Sequence, residues 1–181
     1  MQATRPLSRR QFNTATALGL ASVALGASGA AWAQGKNEPA LPTPALPAIG
    51  SALQVPALSL LDGTQFEPAQ GQPLLLYWWA SWCPFCAVQS PHIESLWRKH
   101  RARGLQVLAL SIDVRQQAAA DYMRKKAYTF PAAMLTPARA KLLPKPKGLP
   151  VTVLRGRGGT VLFAEGGEMF PEDIEGLAKF L

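Results

Sequence analysis

The chain has 181 residues, of which 48% are hydrophobic and 17% charged, with a formal net charge of +8. That balance excludes an intrinsically disordered chain, which would carry less apolar and more charged residue content. Two cysteines exclude a disulfide-stapled scaffold, and the basic excess is not interleaved with exposed-looking aromatics, so it reads as a solvated face with no nucleic-acid partner.

Residues 1–33 read as an export signal. Ser8-Arg9-Arg10-Gln11-Phe12 is a twin-arginine element, a weakly apolar stretch runs from Ala15 to Ala31, and Ala31-Trp32-Ala33 gives a small-x-small cleavage pattern before Gln34. An uncleaved membrane anchor fits less well, because Gly19, Ser22, Gly26, Ser28 and Gly29 make the stretch a poor hydrocarbon-spanning helix. The expected location is the periplasm, with no stable membrane insertion after cleavage. Residues 34–54 are rich in proline and alanine and are expected to form an extended linker without a core of its own. Residues 55–181 are expected to form one domain.

Within that domain, Val55 to Leu61 has strand character, and Asp62-Gly63 is a turn signal leading into Thr64-Gln65-Phe66. Leu74 to Trp79 is a continuous apolar run, as expected of a central strand covered on both faces. Helical spacing follows over residues 87–103, with Val88, Ile93, Leu96 and Trp97 on one face, Pro91 as an expected kink and Gly104 as the stop. Leu105 to Ile112 reads as a second buried strand, and Gln116 to Lys126 as an alanine-rich helix. Residues 128–148 are interrupted by prolines and are expected to hold at most a short helix near Ala138 to Leu143. Val151–Leu154 and Val161–Ala164 bracket a glycine-rich turn, which predicts an antiparallel hairpin, and Pro171-Glu172-Asp173 opens a C-terminal helix. The fold class is α/β, a mixed sheet flanked by helices.

The chemistry is concentrated in Trp82-Cys83-Pro84-Phe85-Cys86, directly after the first buried strand. A Cys-x-x-Cys pair there closes a small reversible disulfide, and a helix starting beside it favours a thiolate. A static bridge over so short a loop would add little stability. A metal reading would recruit His92 and His100, but the resulting spacing does not match a zinc site.

Trp79-Ala80-Ser81-Trp82-Cys83-Pro84-Phe85-Cys86, with Pro91 and Gly148-Leu149-Pro150-Val151-Thr152, resembles thioredoxin-fold thiol–disulfide oxidoreductases of the TlpA/ResA type. The resemblance implies a thioredoxin-like fold with an N-terminal β-hairpin extension. It also implies that Cys83 is the attacking cysteine, exposed at the start of the helix, and that Cys86 resolves the mixed disulfide. Pro84 and Phe85 then set the redox poise. Pro150 is expected in the cis form, with the Leu149 backbone available to a substrate peptide. Trp82 is either a contact surface beside the sulfur or a packed aromatic, whereas Trp78, Trp79 and Phe130 belong to the core. No cofactor is implied beyond the redox-active pair. The implied partners are periplasmic protein thiols and disulfides and a membrane electron donor of the thiol-reducing type.

Two departures stand out. Where the family pattern reads C-x-x-C-x-x-E-x-P, this chain has Gln89, which either hydrogen-bonds near Cys86 or faces solvent. Where thioredoxins often carry a buried aspartate six residues before the first cysteine, it has Tyr77. Neither supplies a general base. The expected function is reduction of periplasmic disulfides. A disulfide-donating oxidase and a non-catalytic thioredoxin-fold binding module are the alternatives.

Overall fold

The structure is a computed structural model that describes residues 44–181. The export signal and the first part of the linker lie outside the described residues. In chain order the elements are β1 (Leu58–Ser59), β2 (Gln65–Phe66), β3 (Leu74–Trp79), α1 (Pro84–His100), β4 (Gln106–Ser111) and α2 (Gln116–Lys126). They continue with β5 (Ala132–Met134), α3 (Pro137–Leu142), β6 (Val151–Arg155), β7 (Val161–Gly166) and α4 (Pro171–Gly176). The main sheet has the order β5-β4-β3-β6-β7, with β3 parallel to β4 and antiparallel to β6. This is a thioredoxin-like mixed sheet, and β1–β2 form the small hairpin ahead of it.

β3 is apolar throughout because both its faces are covered. Leu75, Tyr77 and Trp79 point to the layer containing Ile93 and Leu96 of α1 and Ile174 of α4. Leu74, Leu76 and Trp78 point the other way, toward Val151, Val153, Leu58 and Leu143. The period-two alternation of a strand thus feeds two cores, and the end of β3 delivers the chain to the cysteines from the middle of the sheet. The hairpin turn also follows the sequence: the Asp62 carboxylate accepts from Thr64 N–H and Oγ1, and Gly63 takes φ +85°.

Three expectations are corrected. The linker is not a free tether up to residue 54. Gly50 N–H donates to Val161 O, Leu53 N–H donates to Gly159 O, and Ala52 bridges Thr160, so the segment caps the open edge of the β6–β7 hairpin. Edge-strand donors and acceptors that would otherwise face water find backbone partners there. Secondly, α1 begins at Pro84 rather than 87 and continues through Pro91 to His100, followed by a 3-10 turn over Arg101–Arg103 that Gly104 ends at φ +92°. Thirdly, a strand, β5, lies where only a short helix was expected. Its Ala-Ala-Met sequence carries no β-branched signal, and it is fixed by parallel pairing with β4 rather than by propensity.

Glu94 ties α1 to the start of β5. Its carboxylate accepts from Thr129 N–H (2.8 Å), Thr129 Oγ1 (2.7 Å) and Phe130 N–H (3.2 Å), and Arg98 Nε sits on it from the helix. Burial alone would raise its pKa, but these bonds outweigh burial and hold it below the usual carboxylate range. Glu94→Ala should therefore cost about 1–3 kcal/mol near neutral pH, since the buried Phe130 amide and the Thr129 amide and hydroxyl lose their acceptor. Chemical denaturation near pH 7 and again near pH 3 checks this. A depressed folded pKa gives stability that is present above the unfolded carboxyl pKa and lost as pH falls through the folded one, so the gap between variant and parent should shrink in acid.

Candidate functional site

Cys83 is the N-cap of α1, in extended conformation (φ −83°, ψ 116°), with Pro84 at the first helical position. Proline suits that position because it lacks an N–H that would go unused there. The Cys83 Sγ accepts from Cys86 N–H at 3.2 Å, taking the place of the usual oxygen cap. A backbone donor thus points at the sulfur, a contact that negative charge on the sulfur strengthens. Behind it, Cys86 is 1% exposed, and burial pushes its thiol up to about 12, with the nearby Cys83 adding to the effect.

The loop that delivers Cys83 is held by a residue the sequence did not single out. The Asp113 carboxylate, just past β4, accepts from Ser81 N–H (3.0 Å), Ser81 Oγ (2.6 Å) and Ser111 Oγ (2.7 Å). It fastens the end of β4 to the turn two residues before Cys83. The only available signal was an acid closing a buried strand, with serines near it.

Cys83 is not exposed as expected; the residue is 4% accessible. Its wall is an apolar recess of about 370 Å³ whose lining includes Trp82, Phe85, Ile112, Lys145 and Leu149. The recess is open to solvent through its rim, where Trp82 is 65% and Phe85 55% exposed. Trp82 is therefore a surface residue beside the sulfur and not a packed aromatic, while Trp78, Trp79 and Phe130 are buried. The Leu149–Pro150 bond is cis, and Leu149 reaches the recess while Pro150 is buried. A larger recess of about 620 Å³, between Leu61 of the hairpin segment and Met123 and Tyr128, contains neither cysteine.

Lys145 is a second residue missed in the sequence, hidden in the proline-rich stretch. Its Nζ donates to Pro146 O (2.6 Å) and Gly148 O (2.8 Å), and partial burial lowers its pKa from the usual ammonium range. Tyr77 lies beneath the site. Its hydroxyl pairs with Ser90 Oγ at 3.0 Å and donates to Cys86 O at 3.4 Å, and burial pushes its pKa well up.

Gln89 fits neither sequence alternative. It is fully buried, makes no hydrogen bond to Cys86, and uses both ends of its amide elsewhere: Nε2 donates to Thr152 Oγ1 (2.9 Å) and Oε1 accepts from Met169 N–H (2.8 Å). His92 and His100 do not converge with the cysteines, and no group of three or more His, Cys, Asp or Glu side chains comes together among the described residues.

Comparison with known proteins agrees with this geometry. The AhpC/TSA family model matches residues 53–136. The thiol–disulfide oxidoreductase ResA of Bacillus cereus is 25% identical over 118 residues, covering 64% of this chain and 68% of that protein. A putative thiol:disulfide interchange protein DsbE from Chlorobium tepidum superposes with TM-score 0.63 at 28% identity, covering 74% of this chain and 94% of the other. A thioredoxin family thiol:disulfide interchange protein from the same organism gives TM-score 0.65 at 20% identity, over 73% and 97% of the two chains. The chain is similar to TlpA/ResA-type thiol–disulfide oxidoreductases and shares their thioredoxin fold. Against the C-x-x-C-x-x-E-x-P pattern of those proteins, this chain has, in place of a carboxylate, a buried amide that braces α1, β6 and the segment before α4.

Proposed function

We propose that this thiol–disulfide oxidoreductase works in the periplasm and reduces disulfides of partner proteins. The observation that carries the reading is the placement of the two sulfurs. Cys83 caps a helix at the floor of an open apolar recess, and Cys86 lies directly behind it, buried. In the first step the Cys83 thiolate attacks one sulfur of a partner disulfide. A Cys83–partner disulfide forms, the partner S–S bond breaks, and the departing thiolate takes a proton. Cys86 then loses its proton and attacks Cys83 Sγ, which closes the Cys83–Cys86 bridge and releases the second partner thiol. Two electrons and two protons pass to the partner, and a membrane thiol donor restores the dithiol. Phe85, Trp82 and the Leu149 backbone are the surfaces against which the partner lies.

The twin-arginine segment supports export, and no helix among the described residues is long and apolar enough to cross a membrane. Protein isolated from the periplasmic fraction should begin at Gln34 by mass spectrometry. Its Cys83–Cys86 pair should equilibrate with glutathione or dithiothreitol at a potential closer to about −270 mV, as in a reductase, than to about −120 mV, as in a strong oxidant. A value at the oxidising end would reverse the assigned direction. A pair that does not cycle would leave only a binding role.

A further inference from the structure

The walls of the Cys83 recess differ in chemistry. Trp82, Phe85 and the next-turn Val88 form an exposed apolar side. The facing side is the segment before the cis peptide bond, and it is basic. Between Asp121 and Glu165 the chain has no acidic residue, while Arg139, Lys141, Lys145 and Lys147 lie just ahead of Gly148. Lys145 is the one of these that reaches the recess. Two of its three ammonium hydrogens are used on the carbonyls of Pro146 and Gly148, so the charge is pinned in the wall and one donor is left over. No ion pair among the described residues neutralises it. A half-buried cation held by neutral carbonyls acts in a lower dielectric than one in water, and a carboxylate brought to it gains accordingly.

We propose that this wall is a docking surface for acidic partner segments, in which a carboxylate one or two residues from the target cysteine meets Lys145 and an apolar neighbour lies against Trp82 and Phe85. The proposal rests on the thiol–disulfide reading and specifies the substrate class of the same site.

A test that does not depend on redox turnover uses the Cys86→Ser protein, whose only thiol is Cys83. Its alkylation rate by anionic iodoacetate is divided by its rate with neutral iodoacetamide, which cancels the thiolate fraction. Adding Lys145→Gln should lower this ratio about three- to fivefold, Lys145→Arg should keep it, and about 1 M salt should reduce it toward the Lys145→Gln value. With the unmodified enzyme, a disulfide peptide carrying Glu beside its cysteine should show a lower KM than the same peptide with Gln, and Lys145→Gln should erase the difference. A ratio unmoved by Lys145→Gln, or equal KM values for the two peptides, overturns the docking surface while leaving the oxidoreductase intact. Failure to reduce either peptide, with the ratio shifted as expected, overturns the redox reading and leaves an anion-attracting recess.

Discussion

Cys86→Ser should abolish multiple turnover while leaving the first attack in place, so that covalent partner–Cys83 complexes accumulate and survive non-reducing electrophoresis. Cys83→Ser should give neither turnover nor complexes. The asymmetry follows from position: Cys83 faces the recess, whereas Cys86 sits behind it at 1% exposure and can reach only Cys83. The same burial sets the pH dependence. With the Cys86 thiol pushed up to about 12, its thiolate fraction near pH 7 is on the order of 10⁻⁵, because the thiolate alone attacks. Below that pKa each pH unit multiplies the fraction about tenfold, so release from a preformed Cys83 mixed disulfide should accelerate about tenfold per unit between about pH 6 and about pH 9. Stopped-flow release of thionitrobenzoate from a Cys83 adduct measures this step directly. A flat profile would mean that a neighbouring group removes the proton during attack. The Tyr77 hydroxyl, kept protonated by burial, is not that base; it acts as a donor that favours the Cys86 thiolate, so Tyr77→Phe should slow release without flattening the profile.

What the sequence makes legible here is whatever is encoded locally. Leu74–Trp79 announces a doubly covered strand because six apolar residues in a row have no other economical use in a sheet of this kind. Asp62-Gly63 and the Gly156–Gly159 segment announce their turns through side-chain and φ requirements. The cysteine pair is plain from spacing alone. What stays hidden depends on pairing across the chain. β5 has no strand propensity and exists because β4 offers it an edge. The Gly50–Leu53 segment looks like linker because proline and alanine dominate nearby, yet its backbone groups are the nearest partners for Thr160 and Val161. Asp113 and Lys145 lie 30 and 62 positions after Cys83, and only the fold brings them to the same end of the sheet. Cys83 is less exposed than its place at the start of a helix predicts, for a related reason. Its cover is built from Leu149 and Ile112, which are remote in sequence, as well as from its own loop.

Gln89 gives the sharpest case of a residue whose role reverses on seeing its partners. Gln89→Leu keeps the volume but strands Met169 N–H and the Thr152 hydroxyl inside the protein, where Gln89 and Thr152 are 0% exposed. Each orphaned buried group costs about 1–3 kcal/mol, so the variant should lose about 2–6 kcal/mol, read as a lower urea midpoint with an unchanged slope. That loss should not vary between about pH 5 and about pH 8, since nothing titrates in the substitution. Gln89→Glu should behave differently. Its carboxylate can still accept from Met169 N–H, and the Thr152 hydroxyl can turn to donate, but full burial penalises the charge and raises the carboxyl pKa above its unfolded value of about 4.3. A raised folded pKa leaves the variant nearest to the parent below the unfolded pKa and costs progressively more as pH rises through the folded one. The two variants therefore separate a brace from a proton carrier. If Gln89→Glu matches the parent at about pH 8, the position tolerates a charge and a proton-handling carboxylate could operate there. If it weakens with rising pH while Gln89→Leu stays uniformly weak, the amide is held for its paired donor and acceptor. Position 89 then takes no proton from Cys86, and the resolving thiol loses it without help from that side chain.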